Sequence, residues 1–400
     1  MLPFSAKKIY VDPAVRKTPN CRRRLDRMLR HIQCEEVTDL DPAAYVELLS
    51  VRKRRHGKDD FEDDAILAFI PFDEDRTRWY YHLRSGPDYF KRYGGYCQTA
   101  LELNLVDGCV YRCAYCGFGR RVIFSLDVER LIGGLDEQFA LCPEQRLYKF
   151  SNMTDLPPFE PELDAARPMV ERFSREEHRY LMLFTKSDRI DFLLDLEHHG
   201  MTIVSWSLSC DTASRMVEKR TPTLRERIAA MRKVREAGYR VRARLSPIVP
   251  VKRWREEYED LFDQLFRAVR PDIVTLELLG WLDFEDLIQI IPEDLLDPEA
   301  VDSARQAADS LRGELRGPFT EAFHQEVYRF CIEAVKRLSP MTPVAVCHGT
   351  PPTWDALGRL MGMRPTDYIC NCGPTSTPGN PLYRTDGLDP KATKTRRKGT

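Results

Sequence analysis

The stretch LELNLVDGCVYRCAYCGFG, Leu101 to Gly119, decides the fold. Leu101, Leu103, Leu105 and Val106 are closely spaced apolar residues, with neither Gly nor Pro before Gly108. That pattern predicts a mostly buried strand. The strand runs into a loop carrying Cys109, Cys113 and Cys116, spaced C-x3-C-x2-C. Three thiolates so close together cannot all pair as disulfides, but they can converge on one metal centre. A cubane [4Fe–4S] cluster usually takes one thiolate per iron, so a three-cysteine loop leaves one iron without a protein ligand. Zinc is the competing occupant. It wants a fourth ligand, and no nearby His or Cys completes a usual knuckle.

An open iron chelates the amino and carboxylate groups of S-adenosylmethionine (SAM) and sets its sulfonium beside the cluster. One electron from the reduced cluster then cleaves a carbon–sulfur bond and releases a 5′-deoxyadenosyl radical. Such chemistry belongs to the cofactor; the protein supplies position and a closed cavity.

The rest of the chain bounds the alternatives. Its 400 residues suit one large domain with appendages, or two domains, and a hydrophobic fraction of 42% is enough for a sizeable core. Lys+Arg 61 against Asp+Glu 62 leaves a net charge of −1, so any nucleic-acid surface must be a local patch. MLPFSAKKIY lacks the apolar core of a signal peptide, and no run of 18 apolar residues predicts a membrane span. Twelve cysteines without a secretion signal argue for reduced thiols and metal binding in a cytoplasmic setting.

Residues 1–95 read as a basic, helical extension. Arg22, Arg23, Arg24, Arg27, Arg30 and His31 fall on one predicted helix, and Arg52 to His56 follow. Two readings stand for them: contact with a phosphate backbone, or a solvated face neutralised by Asp26, Glu35 and Glu36. GKDDFEDD (57–64) is a charged turn, and Cys21 and Cys34 read as ordinary thiols. From 96 to 282 strands and helices alternate. Ser125 is the expected cap of a helix with Val128, Leu131, Ile132, Leu135 and Phe139 on one face. Strands follow at 146–151, 180–185, 202–209, 239–248 and 273–278, with helices at 163–173, 189–198, 224–237 and 254–269. Six β-α units predict a parallel sheet with right-handed crossovers, an α/β fold of the partial (β/α)6 barrel type. Functional groups then belong at the carboxyl ends of its strands. Residues 283–380 read as a helical region with a strand near 342–347 and a Cys-rich segment, and 381–400 as a basic disordered tail.

The cysteine spacing, with aromatic Tyr115 before the last cysteine, resembles the radical SAM superfamily. Within it the chain is similar to the spore photoproduct lyase family over roughly 95–280. FTKSDRIDFLL (184–194), WSLS (206–209), RTPTLRERIAAMRKVREAGY (220–239), SPI (246–248), WREEYEDLF (254–262) and LEL (276–278) follow the family's order and spacing. The resemblance implies that Lys186 and Ser207 contact SAM, that Tyr115 lies near the adenine, and that Ser246 marks where the fifth strand meets the cofactor. It also implies a one-electron donor such as flavodoxin or ferredoxin.

The departures are specific. The family's lyase has a cysteine after its second strand that gives a hydrogen atom to the product radical; here the stretch is FSNMTD (150–155), with Asn152 or Met153 at that place. The lyase also has a tyrosine just after the last cluster cysteine, where this chain has Gly117. Cys142 precedes the second strand and so belongs at its opposite end, whereas Cys210 follows the fourth strand and is the candidate substitute donor. Cys347, Cys370 and Cys372, with His348 adjacent, suit an auxiliary iron–sulfur cluster, a zinc site or a set of buried thiols.

The expected function is a radical SAM enzyme allied to spore photoproduct lyase and acting on DNA or a nucleobase-like substrate. The rivals are a radical SAM enzyme for a small metabolite or peptide, and a non-catalytic iron–sulfur or zinc protein associated with DNA.

Overall fold

The computed structural model describes residues 1–50, 66–74, 80–82, 90–91, 93–118 and 121–383. The basic run Arg52 to His56, the charged turn at 57–64 and the chain after residue 383 lie outside them. The chain divides into two compact units. The first comprises Met1–His82, Leu101–Thr202 and Glu218–Thr221, the second Leu83–Ala100, Ile203–Val217 and Pro222–Thr400.

In the first unit a five-stranded sheet holds β1 (Phe4–Val11), β2 (Ile32–Asp39), β3 (Ile66–Ile70), β6 (Val106–Asp107) and β8 (Arg121–Ser125) in the order β2-β1-β3-β8-β6. β1, β2, β3 and β8 run parallel, and β6 closes the edge antiparallel to β8. Reading residues 1–95 by their basic density misses β1 to β3. The signal was there in FSAKKIYV, whose Phe4, Ala6, Ile9 and Val11 are buried in near alternation. The helix Pro19–Leu29 carries Arg22, Arg23, Arg24 and Arg27 as expected, but Arg24 is fully buried. Its guanidinium binds Glu129 at 2.7 and 2.8 Å and donates to the carbonyls of Leu126 and Leu163.

Ser125 is not the cap of this helix: it is the last residue of β8. The helix begins after Asp127, whose carboxylate accepts from the Arg130 amide at 3.0 Å. The β-branched and aromatic run RVIFS pairs along β3 as a strand, which moves the cap two residues on.

Beside that sheet the same unit carries β4 (Tyr80–His82), β5 (Ala100–Leu103), β9 (Leu147–Phe150) and β10 (Tyr180–Thr185) in the order β10-β9-β5-β4. β5, β9 and β10 are parallel. Lys149 and Glu102 form a buried ion pair of 2.7 Å between β9 and β5. A short antiparallel pair, β7 (Arg112–Cys113) with β12 (Glu218–Lys219), completes the unit.

The second unit holds β11 (Thr202–Ser207), β13 (Arg240–Ile248), β14 (Val274–Leu278) and β15 (Val344–Val346) in the order β15-β14-β13-β11, all parallel. Its helices start on local signals. Thr223 and Glu226 form a capping box for Leu224–Glu236. Trp254–Ala268 buries Trp254, Tyr258, Leu261, Phe262 and Leu265, the stripe of an amphipathic helix. The helix Pro351–Met361, capped by Thr350 and ended by Gly362 at φ 70°, is an element the sequence reading did not include.

Candidate active site

In the first unit, the three cysteines of the loop lie near enough for their charges to bear on one another. Gly108 sets its start: φ is 122°, and a Cβ there would sit 2.2 Å from the Arg121 carbonyl oxygen on β8, so no side chain fits. Its amide donates to the Met153 carbonyl at 3.2 Å. The Tyr111 amide donates to Cys109 Sγ at 3.4 Å, and the Cys116 amide to the Cys113 carbonyl at 3.0 Å. β7 then places Cys113 directly opposite Glu218 on β12.

Two carboxylates organise what lies around the sulfurs. Glu218, buried, accepts from the Tyr115 hydroxyl and lies 3.8 Å from Lys186 Nζ. Asp155, also buried, accepts from the Thr185 hydroxyl at 2.7 Å and from the Lys186 amide at 2.6 Å, fixing the carboxyl end of β10. Burial, with Asp155 and Cys116 beside it, pushes the Cys109 thiol up to about 12. Burial and then Glu218 hold Cys113 well above its ordinary value, against the pull of Lys186. Burial, then Cys113 and Glu218, do the same to the Tyr115 phenol. Tyr115 and Lys186 therefore share one carboxylate partner beside the loop.

The stretch FSNMTD supplies no hydrogen donor to a carbon radical. The Asn152 amide donates to Glu102 Oε1 at 3.0 Å, alongside Lys149 on the same oxygen.

In the second unit, Ser207 ends β11, its carbonyl accepting from the buried Arg227 at 3.1 Å. Ser246, near the end of β13, accepts from Arg244 at 2.7 Å and donates to Glu277 on β14. Glu277 also meets His348 Nδ1 at 3.1 Å. Burial would raise Glu277, but His348, Arg244 and Ser246 hold it at about 2. Cys210 is fully buried, its thiol bonded to Glu257 and Tyr258 of the helix Trp254–Ala268. A cavity of about 340 Å³ opens near the carboxyl ends of β14 and β15. Its lining includes Tyr93, Glu277, Trp281, Arg316, His324 and His348.

Residues 98–281 match the family model for spore photoproduct lyase. Over that stretch this chain resembles the spore photoproduct lyases. The lyase-like chain is 28% identical to the spore photoproduct lyase of Bacillus subtilis over 182 residues, which is 43% of this chain and 53% of that one. It is 24% identical to the Clostridium acetobutylicum lyase over 167 residues, 40% of this chain and 50% of that one. The lyase-like chain thus spans about half the length of these curated relatives. Two solved structures share its fold. One is a spore photoproduct lyase mutant with bound AdoMet and dinucleoside spore photoproduct, at TM-score 0.64 and 17% identity over 86% of this chain and 98% of that one. The other is a spore photoproduct lyase complexed with dinucleoside spore photoproduct, at TM-score 0.63 and 18% identity with the same coverage. The expected parallel α/β half-barrel class is the fold these structures share with the lyase-like chain.

Three residues of the lyase-like protein's sites escaped the sequence reading. Asp155 lies in the quoted FSNMTD but carried no spacing signal. Glu218 becomes a neighbour of the cysteine loop only through the β7–β12 pairing. Cys97 hydrogen-bonds to Cys347 and His348, far away in sequence. Its one cue was an unassigned cysteine four residues before the first core strand.

Proposed function

We propose that this chain is a radical SAM enzyme acting on DNA or another nucleobase-containing substrate, with Cys109, Cys113 and Cys116 each holding one iron of a [4Fe–4S] cluster. The observation that carries this reading is the donor set: three buried or half-buried sulfurs on one glycine-anchored loop, beside a lysine on the adjacent strand end. Bound there, the cluster and SAM would supply 5′-deoxyadenosyl radical chemistry, given one electron from a flavodoxin- or ferredoxin-type donor. The residues do the rest. Lys186 offers a cation to the SAM carboxylate, and Glu218 sets the position of both Lys186 and Tyr115. Ser207 and Ser246 are further SAM contacts by resemblance alone.

Two observations support a nucleic-acid substrate. The solved neighbours hold a dinucleoside photoproduct. On the first unit, Arg16, Lys17, Arg22, Arg23, Arg27 and Arg30 line one groove with a single acid, Asp26. Six basic side chains along two short helices suit a phosphate backbone. Because Asn152 is committed to Glu102 and Met153 carries no thiol, return of a hydrogen atom to a spore photoproduct radical lacks its usual donor. Cys210 is the remaining candidate.

The test is anaerobic incubation of the reconstituted protein with SAM, dithionite and ultraviolet-damaged or undamaged DNA, followed by mass spectrometry. 5′-Deoxyadenosine together with a DNA-dependent product supports the reading. Deoxyadenosine that forms at the same rate with and without DNA, and no altered nucleotide, counts against the substrate class. No deoxyadenosine at all removes the enzyme assignment.

A further inference from the structure

We propose that Cys97, Cys347, Cys370 and Cys372 form a second metal centre, a four-thiolate site for a thiophilic metal. The site is built without any residue of the loop 109–116. Cys97 hydrogen-bonds to Cys347, and Cys370 to Cys372, so four sulfurs come as two touching pairs. All four lie close enough to Tyr368 for their charge to bear on its phenol.

The three segments are tied together by their own hydrogen bonds. The Tyr96 amide donates to the Gly349 carbonyl at 2.9 Å, an isolated antiparallel bridge that lays residue 97 opposite residue 348, next to Cys347. Gln98 Nε2 donates to the Tyr368 carbonyl at 2.6 Å, while Cys370 Sγ donates to Gln98 Oε1 at 3.7 Å. Gly373 makes room for that glutamine, since a Cβ there would lie 1.6 Å from Gln98 Oε1.

Between the last two cysteines, Asn371 is fully buried and plugged into the sheet. Its amide nitrogen donates to Thr275 at 3.1 Å, its side chain donates to the Ala243 carbonyl at 3.0 Å and accepts from Ser205 at 3.0 Å, and its carbonyl accepts from Arg242 at 3.0 Å. A buried polar residue bonded at every group is a costly way to hold two thiols in a core that apolar side chains would fill more simply. It is an effective way to aim two ligands.

Four thiolates select zinc or an iron–sulfur cubane among the common metals. Both are coordinatively closed by four sulfurs, so the centre serves structure or electron transfer. Among the described residues a mixed donor set that shares Cys347, with Glu277 and His348, is the group whose atoms all lie within 4.8 Å of one another; the four sulfurs are spread wider, which suits the larger cubane better than a single zinc. Glu277 is already held by Ser246, Arg244 and His348, which favours the thiolate set, with His348 Nδ1 lying 3.4 Å from Cys347 Sγ.

The full chain carrying Cys109→Ala, Cys113→Ala and Cys116→Ala is purified anaerobically, and iron, zinc and acid-labile sulfide are counted. The variant is expected to keep roughly four irons with matching sulfide, or roughly one zinc, which also tells the two occupants apart. Adding Cys97→Ala or Cys370→Ala should weaken metal retention by about tenfold or more. A metal-free triple variant, two disulfides in its place, or metal indifferent to Cys97→Ala and Cys370→Ala overturns the proposal. Because a ligand variant can misfold, the unaltered protein provides a second measurement. Thiol alkylation mapped by mass spectrometry should show Cys97, Cys347, Cys370 and Cys372 protected together and released together by a chelator, with Cys34 alkylated throughout. Alkylation of the four that a chelator leaves unchanged overturns it equally. Neither readout needs SAM cleavage, so a failed function assay leaves this test intact.

Discussion

The cysteine loop of the first unit and the cysteine cluster of the second differ in how the chain assembles them. Cys109, Cys113 and Cys116 lie on one turn of backbone, fixed by Gly108 and the β7–β12 pair. Cys97, Cys347, Cys370 and Cys372 come from three segments brought together by a backbone bridge, a glutamine and a buried asparagine. They differ in number as well. Three sulfurs leave one iron of a cubane open to a ligand, whereas four close any metal they hold. The local site is therefore suited to chemistry on an exchangeable molecule, and the assembled one to holding a metal with no open coordination position.

The largest expected effect breaks the first half of that comparison. Replacing Cys109, Cys113 and Cys116 together with Ala should bring deoxyadenosine formation down to a protein-free control. Retained SAM cleavage in that variant would mean the catalytic cluster sits elsewhere. Next comes the fate of the radical. Given dinucleoside spore photoproduct, SAM and reductant, the protein should form deoxyadenosine far faster than it forms two thymidines, since neither Asn152 nor Met153 carries a thiol hydrogen to give to a carbon radical. Clean multiple-turnover repair, undiminished in Cys210→Ala, would sink this expectation and restore an ordinary lyase.

A smaller effect sharpens the role of the loop's surroundings. Lys186→Ala should raise the KM for SAM by about tenfold to a hundredfold, the worth of a charge-assisted hydrogen bond of ~1.5–3 kcal/mol. The iron content should not change. Loss of iron along with SAM affinity would make Lys186 part of the cluster's support instead. The smallest effect concerns the basic groove. Arg22→Ala with Arg23→Ala should lower DNA affinity and reduce the slope of log K against log salt by about 1–2, from ~0.9 per phosphate contact on duplex DNA. An unchanged slope in a fluorescence-anisotropy titration would assign the groove to solvent.

Much of the fold was open to sequence reading because its signals are local. The strands β9, β10, β11, β13 and β14 are short apolar runs bounded by turn residues, and Leu224–Glu236 and Trp254–Ala268 carry a cap or an apolar stripe of their own. Basic residues hid the alternation in FSAKKIYV, and β8 looked like a helix approach because its parallel partner lies at residues 66–70.

The sequence by itself determined the C-x3-C-x2-C loop, the order of β-α units, and the positions of Tyr115 and Lys186. Each of these rests on residues within a few positions of one another, where spacing is geometry. Only the tertiary structure decided that Glu218 faces Cys113, that Asp155 holds the end of β10, and that Cys97 joins Cys347, Cys370 and Cys372. Those partners are chosen by strand pairing and buried hydrogen bonds between distant segments, and no local periodicity records which distant backbone groups will find each other once water is excluded.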